Sequence, residues 1–212
     1  MGMHYGFVAV TSTVERFVGV FSEVWPKHEI SGRATLSSID EFVAWQRENE
    51  RVIPAKDWTP DNPGGQVYGF VQDGEWAVFL DASYVLASDQ EAQAKLSEAF
   101  GTCVSFVIET TGGAASFMAF KQGRLVRRID SVDGEVTTEG DPIPQEAGMA
   151  MDEYYMDEAE ELQRRLGIRF LGDAPPTQVL AVATIDRTDY SALMQAVRAA
   201  EARPKKPWWQ LW

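Results

Sequence analysis

Between residues 68 and 146 the chain repeats one pattern: a short apolar run, a turn signal, then another apolar run, with one helical stretch inserted. Strands joined by tight turns need no crossover helix, so this punctuation commits the middle of the chain to antiparallel pairing. Residues 66–71 and 75–80 flank Gln72-Asp73-Gly74, where Asp-Gly predicts a hairpin because both residues tolerate positive φ. In the second strand Trp76, Val78 and Leu80 share one face while Ala77 and Phe79 share the other, the pattern of a strand covered on both sides. Residues 103–109, 115–120, 125–129 and 135–138 continue the run. Gly112-Gly113, Gln122-Gly123 and Asp133-Gly134 separate them, and together they read as an antiparallel meander. Leu125, Arg127 and Ile129 alternate with Arg124, Val126 and Arg128, which predicts one partly wet face.

The inserted helix spans 89–100, with Ala92, Leu96, Ala99 and Phe100 inward, Ser88 as its cap and Gly101 as its stop. Upstream, residues 4–11 read as a strand. Val14, Phe17, Val18, Phe21 and Trp25 then recur at helical spacing, behind a Ser12/Glu15 capping box and ahead of Pro26. A short strand over 30–36 precedes a helix over 38–50, opened by Ser38 and Glu41, with Phe42 and either Trp45 or Val43 as its apolar face. Pro54, Pro60, Pro63 and Gly64-Gly65 make 54–65 a loop.

Beyond the meander, Gly140-Asp141-Pro142-Ile143-Pro144 leaves the sheet as an extended segment. Residues 152–166 form a helix with Tyr155, Ala159, Leu162 and Leu166 on one face and Arg164 and Arg165 at its dipole-favoured end. After the Pro175-Pro176 break come a strand over 178–185 and a helix over 189–202 with Leu193, Met194, Val197 and Ala200 inward. The fold class is α+β: a central, mainly antiparallel meander sheet with helices packed on it and strand-helix units at both termini. These terminal units echo one another, a layout in which they pack together. Residues 1–203 form one domain, 54–65 is where a sub-boundary would fall, and 204–212 form a Trp-rich tail.

A chain of 212 residues buries a sizeable core without metal or disulfide. Cys103 is the only cysteine, so no internal bridge forms, which fits a reducing compartment and the cytoplasm. The apolar run 7–10 is too short for a signal sequence or a membrane span, so neither secretion nor membrane insertion is expected. A net charge of -13, from 32 acidic and 19 basic residues, repels polyanions and argues against nucleic acid as a partner.

That charge is unevenly placed. Residues 130–161 hold twelve Asp or Glu and no Lys or Arg. Such a stretch is either a solvated face or a docking surface for a cationic protein. Asp152, Glu153, Asp157, Glu158 and Glu161 are therefore candidate partner-binding residues, with Trp208, Trp209 and Trp212 at the other candidate contact. Those tryptophans admit three readings: a lid on the core, a protein anchor, or, with Lys205 and Lys206, a membrane-surface contact.

Catalytic patterns are missing. His4 and His28 are the only histidines, and neither lies in the local signature of a triad. Cys103 sits in an apolar strand with no base nearby. Zinc-ligand spacing, a Glu-x-x-His element and a phosphate loop are all absent, so no metal and no cofactor is expected. Asp73, Glu75, Asp81 and Glu109 offer a paired-carboxylate alternative, each with a turn role as its simpler explanation. The reading that follows is a non-enzymatic binding protein. Its rivals are an enzyme or small-ligand protein with a pocket on the sheet near Trp76, Tyr84 and Arg127, and a structural subunit of a homo-oligomer.

Gly74-Glu75-Trp76-Ala77-Val78, Leu96-Ser97, Phe120-Lys121-Gln122-Gly123-Arg124-Leu125-Val126-Arg127 and Glu139-Gly140-Asp141-Pro142-Ile143-Pro144-Gln145-Glu146 together resemble bacterial domains of unknown function, several encoded like toxin-neutralising immunity proteins. The resemblance covers a little over a third of the chain, and its motifs are strand and turn punctuation. It implies a small cytoplasmic α+β protein that acts by binding. Acidic immunity proteins occlude the basic substrate cleft of a nuclease or similar toxin, so a basic toxin is the partner the resemblance implies.

Overall fold

The central strands are apolar on both faces because both faces are covered. A computed structural model describes residues 4–54, 57–81, 83–170 and 176–201, residues 4, 200 and 201 by their backbone. Along it run β1 (His4–Thr11), α1 (Val14–Val24), β2 (His28–Leu36), α2 (Ile39–Asn49), β3 (Val67–Asp73), β4 (Trp76–Leu80) and α3 (Gln90–Phe100). Then follow β5 (Thr102–Glu109), β6 (Ala114–Lys121), β7 (Arg124–Val132), β8 (Glu135–Glu139), α4 (Met156–Arg165), β9 (Val179–Asp186) and α5 (Ser191–Glu201). The strands form one antiparallel sheet in the order β2-β9-β3-β4-β1-β5-β6-β7-β8. This is the expected α+β architecture, with the meander β5 to β8 at one end.

On one face Val8, Val10, Ala77, Phe79 and Phe120 meet Phe17 and Phe21 of α1 and Leu96 and Phe100 of α3. On the other, Phe7, Val78, Phe106, Phe117 and Ile129 meet Phe42 of α2, Ala159 and Leu162 of α4, and then Ile168 and Phe170. Phe7 stacks on Phe106 and meets Phe170 edge-on, both at 5.1 Å, so the strand core and the segment after α4 share one aromatic contact. Each such ring contributes about 1.5–3 kcal/mol by leaving water.

The terminal strand-helix units do not pack together as their echo suggested. β1 lies between β4 and β5, and β9 lies between β2 and β3. Among the described residues no helix is long and apolar enough to cross a membrane.

Several local expectations change once long-range partners are present. Thr13, not Ser12, caps α1 by accepting from the Arg16 amide, while Gln72 of β3 accepts from Val14 N and donates to Ser12 O. Asp89, not Ser88, caps α3, and it also accepts from Trp25 Nε1 at 3.3 Å. On α3 Ala99 is exposed. Gln93 and Ser97 take the inner face instead, where Gln93 donates to Leu86 O and Ala87 O, and Ser97 Oγ accepts from Gly123 N.

The β3–β4 turn is Gly74-Glu75, because Asp73 already pairs with Trp76. Gly74 alone carries positive φ, at 59°. In β7 the pairing steps from Ala119↔Arg127 to Phe120↔Leu125, so Val126 is an extra residue. That bulge puts Leu125 on the α1/α3 face and Arg127 on the other, where strict alternation had placed them together. On α5, Leu193 is 55% exposed and Met194 and Val197 are half-buried, so its inward set is only partly inward. The helix is tethered through Arg198 Nη2 to Trp58 O at 3.2 Å.

Candidate functional site

The acidic stretch is built outward from the β7–β8 hairpin. Asp133 and Gly134 both take positive φ, 51° and 82°, the signature of a two-residue turn that matches strand twist. Asp133 N donates to Gly113 O at 3.0 Å, fixing this tip to the β5–β6 turn. From Glu139 the chain leaves the sheet through Gly140, whose φ of 80° lets it pass close against Val126. Arg127 receives it there: Nη1 donates to Gly140 O at 2.8 Å, while Nε and Nη2 grip Glu146. Glu146 Oε1 also accepts from Ile143 N, so one buried carboxylate closes the 143–146 turn and pins it to β7.

The chain then runs through a 3-10 turn, Met151–Glu153, to the wholly buried Tyr154 and into α4. Burial pushes the Tyr154 phenol well above its usual range, so it stays protonated. Gln163 Nε2 donates to Tyr5 Oη at 3.1 Å, and Arg165 Nη1 donates to Gln145 O and Ala147 O. Together these contacts hold α4 and the 140–153 segment as one wall facing the hairpin tip. Between them lies a groove of about 470 Å³, lined by Asp133, Val136, Asp152, Glu153, Tyr154 and Tyr155 among others. Among the described residues, three carboxylates and no Lys or Arg side chain line it.

The five acidic residues singled out from sequence divide by role. Asp152 and Glu153 line the groove, and Asp157 is exposed at the start of α4. Glu158 turns back to accept from Tyr155 N at 3.2 Å, capping the helix. Glu161 accepts from Arg164 and Arg165, and hydrogen bonding first from Arg164 and then from Arg165 holds its carboxyl below the usual range. Glu158 and Glu161 thus have partners in α4 or at its N-cap, whereas Asp133, which reads in sequence as a turn residue only, joins the groove. The available signal was its place at an Asp-Gly hairpin tip inside the acidic stretch. Trp208, Trp209 and Trp212 lie outside the described residues.

Trp76, Tyr84 and Arg127 do not share a cleft. Trp76 is buried and donates Nε1–H to Leu166 O at 2.9 Å. Tyr84 donates to Ile108 O at 3.1 Å, and Arg127 is committed to Glu146 and Gly140. Trp76 and Arg127 also stand four strands apart, on β4 and β7, a separation of about 19 Å at ordinary strand spacing.

The paired-carboxylate set is likewise dispersed. Asp73 accepts from Arg169 N and Phe170 N, Asp81 from Val85 N and Ala87 N, and Glu109 from Thr111 N. Burial raises the Asp81 carboxyl, but its amide ring shows a loop-closing role. The hollow beside Asp81, Tyr68 and Phe42 measures about 30 Å³, room for about one water. No protein-family model, curated protein or solved structure matches the chain.

Proposed function

We propose that this chain is a non-enzymatic binding protein of the immunity type, which neutralises a basic partner by presenting the acidic groove between the β7–β8 tip and the 151–155 segment. The carrying observation is that three carboxylates from two separate stretches, Asp133 with Asp152 and Glu153, converge on one open groove that no Lys or Arg among the described residues lines. Asp133 N is bonded to Gly113 O and Glu153 N to Ala150 O, so the backbone that carries this negative field is arranged before a partner arrives. The net charge of -13 extends that field and favours fast, salt-sensitive encounter with a cationic surface. A single cysteine, buried at Cys103, is compatible with a reducing cytoplasm.

The test is affinity capture by the native protein at low and moderate salt, beside a variant carrying Asp133→Asn, Asp152→Asn and Glu153→Gln. A basic protein recovered in stoichiometric amount, eluted by salt and lost with the variant, supports the reading. Recovery of the chain alone at low salt, or equal capture by the variant, counts against it.

A further inference from the structure

β8 is the last strand of the sheet, paired with β7 along one edge and with no strand on the other among the described residues. A sheet edge presents a row of backbone donors and acceptors ready for another strand. Cross-strand partners share a face, so the pairs Arg128↔Glu139, Asp130↔Thr137 and Val132↔Glu135 stand on one side of this hairpin. Two shallow depressions, about 320 and 360 Å³, run along that side beside Thr137.

Asp130 is internally neutralised, accepting from Ser116 Oγ at 2.7 Å and from Arg128 Nε at 2.5 Å. The carboxylates that bracket β8 are Glu135 and Glu139. They lie four residues apart on one face, about 13 Å at the ordinary rise of a strand. Val132, 55% exposed beside Glu135, offers apolar surface on which the methylene stem of a lysine or arginine can lie.

We infer that β8 is an augmentation site: an extended, cationic segment of a protein partner adds to its free edge as a further strand, with basic side chains at alternate positions meeting Glu135 and Glu139. The inference rests on the acidic-binding reading above and specifies the partner's local chemistry and conformation. Backbone pairing supplies the affinity common to strand addition, and the two carboxylates select a basic sequence.

The probe is a short capped peptide alternating lysine and valine, with the same peptide N-methylated on alternate residues as a control that keeps the charge and removes the donors. Binding to the full chain is followed by amide hydrogen exchange. The expected result is new protection within 135–139, lost with the N-methylated peptide and lost in the Glu135→Gln/Glu139→Gln variant. Binding that protects only the 151–155 segment, or equal binding of the N-methylated peptide, overturns strand addition while leaving the acidic-binding reading intact. Failure of both peptides to bind at low salt overturns the two together.

Discussion

Arg127 and Glu146 meet side by side, Nε to Oε1 at 2.9 Å and Nη2 to Oε2 at 2.7 Å, with side-chain exposures of 5% and 3%. A buried fork of this kind leaves an uncompensated charge when one partner is removed. Arg127→Met or Glu146→Leu alone is expected to cost about 3–5 kcal/mol in chemical denaturation. The double variant should recover a large part of that loss, because replacing both charges removes the desolvation cost along with the attraction. Additive losses in the cycle would show that the pair is not coupled.

Gly140 sits where that arginine meets the departing chain. A Cβ there would come within 2.2 Å of Val126 O, and its φ of 80° is disfavoured for any L side chain. Gly140→Ala should therefore destabilise by at least about 1–2 kcal/mol. The thermal midpoint checks it; an unchanged midpoint would mean the segment leaves β8 by another path.

Asp73 and Trp76 together fasten the segment after α4. Asp73 accepts from the amides of Arg169 and Phe170, and the Trp76 indole donates to Leu166 O. Asp73→Ala should cost about 1.5–3 kcal/mol, the scale of hydrogen bonds to a charged group. It should also speed exchange at Phe170 N and at the Trp76 indole N–H, both visible by NMR. Unaltered exchange at these two sites would refute the tether.

His28 makes stability depend on pH. Its ring stacks on Trp25 at 4.6 Å, and burial lowers its pKa below the ordinary 6.5, with Asp186 opposing the shift. The unfolded chain therefore takes up this proton first as the pH falls below 6.5, so His28's contribution is full above that value and is lost progressively below it. Replacing it with Leu should flatten that part of the stability profile. Denaturation curves collected at successive pH values give the slope, and an identical slope in the variant would rule His28 out.

Neutralising the groove should separate binding from folding. Asp152 and Glu153 are exposed and, among the described residues, have no structural partner comparable to those of Glu146. Asp152→Asn/Glu153→Gln is expected to leave the thermal midpoint unchanged while weakening association with a basic partner and flattening its salt dependence. Calorimetric titration at two ionic strengths reads both effects.

The sequence by itself determined what depends on near neighbours. Turn residues such as Asp133-Gly134, the two-sided alternation of Trp76 to Leu80, and the helical spacing of Val14, Phe17, Val18 and Phe21 each carry their geometry locally, so the strands and helices were legible. So was the bias of charge along 130–161.

Tertiary structure alone decided what depends on partners far along the chain. Gln72 helps organise the start of α1 from β3, and Asp73 is drawn out of the turn to bind amides about a hundred residues away. The bulge at Val126 sends Arg127 to the face opposite Leu125, which turns a residue of an expected pocket into the anchor of a buried ion pair. The acids were sorted in the same way. Composition counts carboxylates equally, but burial and hydrogen bonding assign Glu146 to the interior and Glu158 and Glu161 to α4, leaving Asp133, Asp152 and Glu153 around the groove.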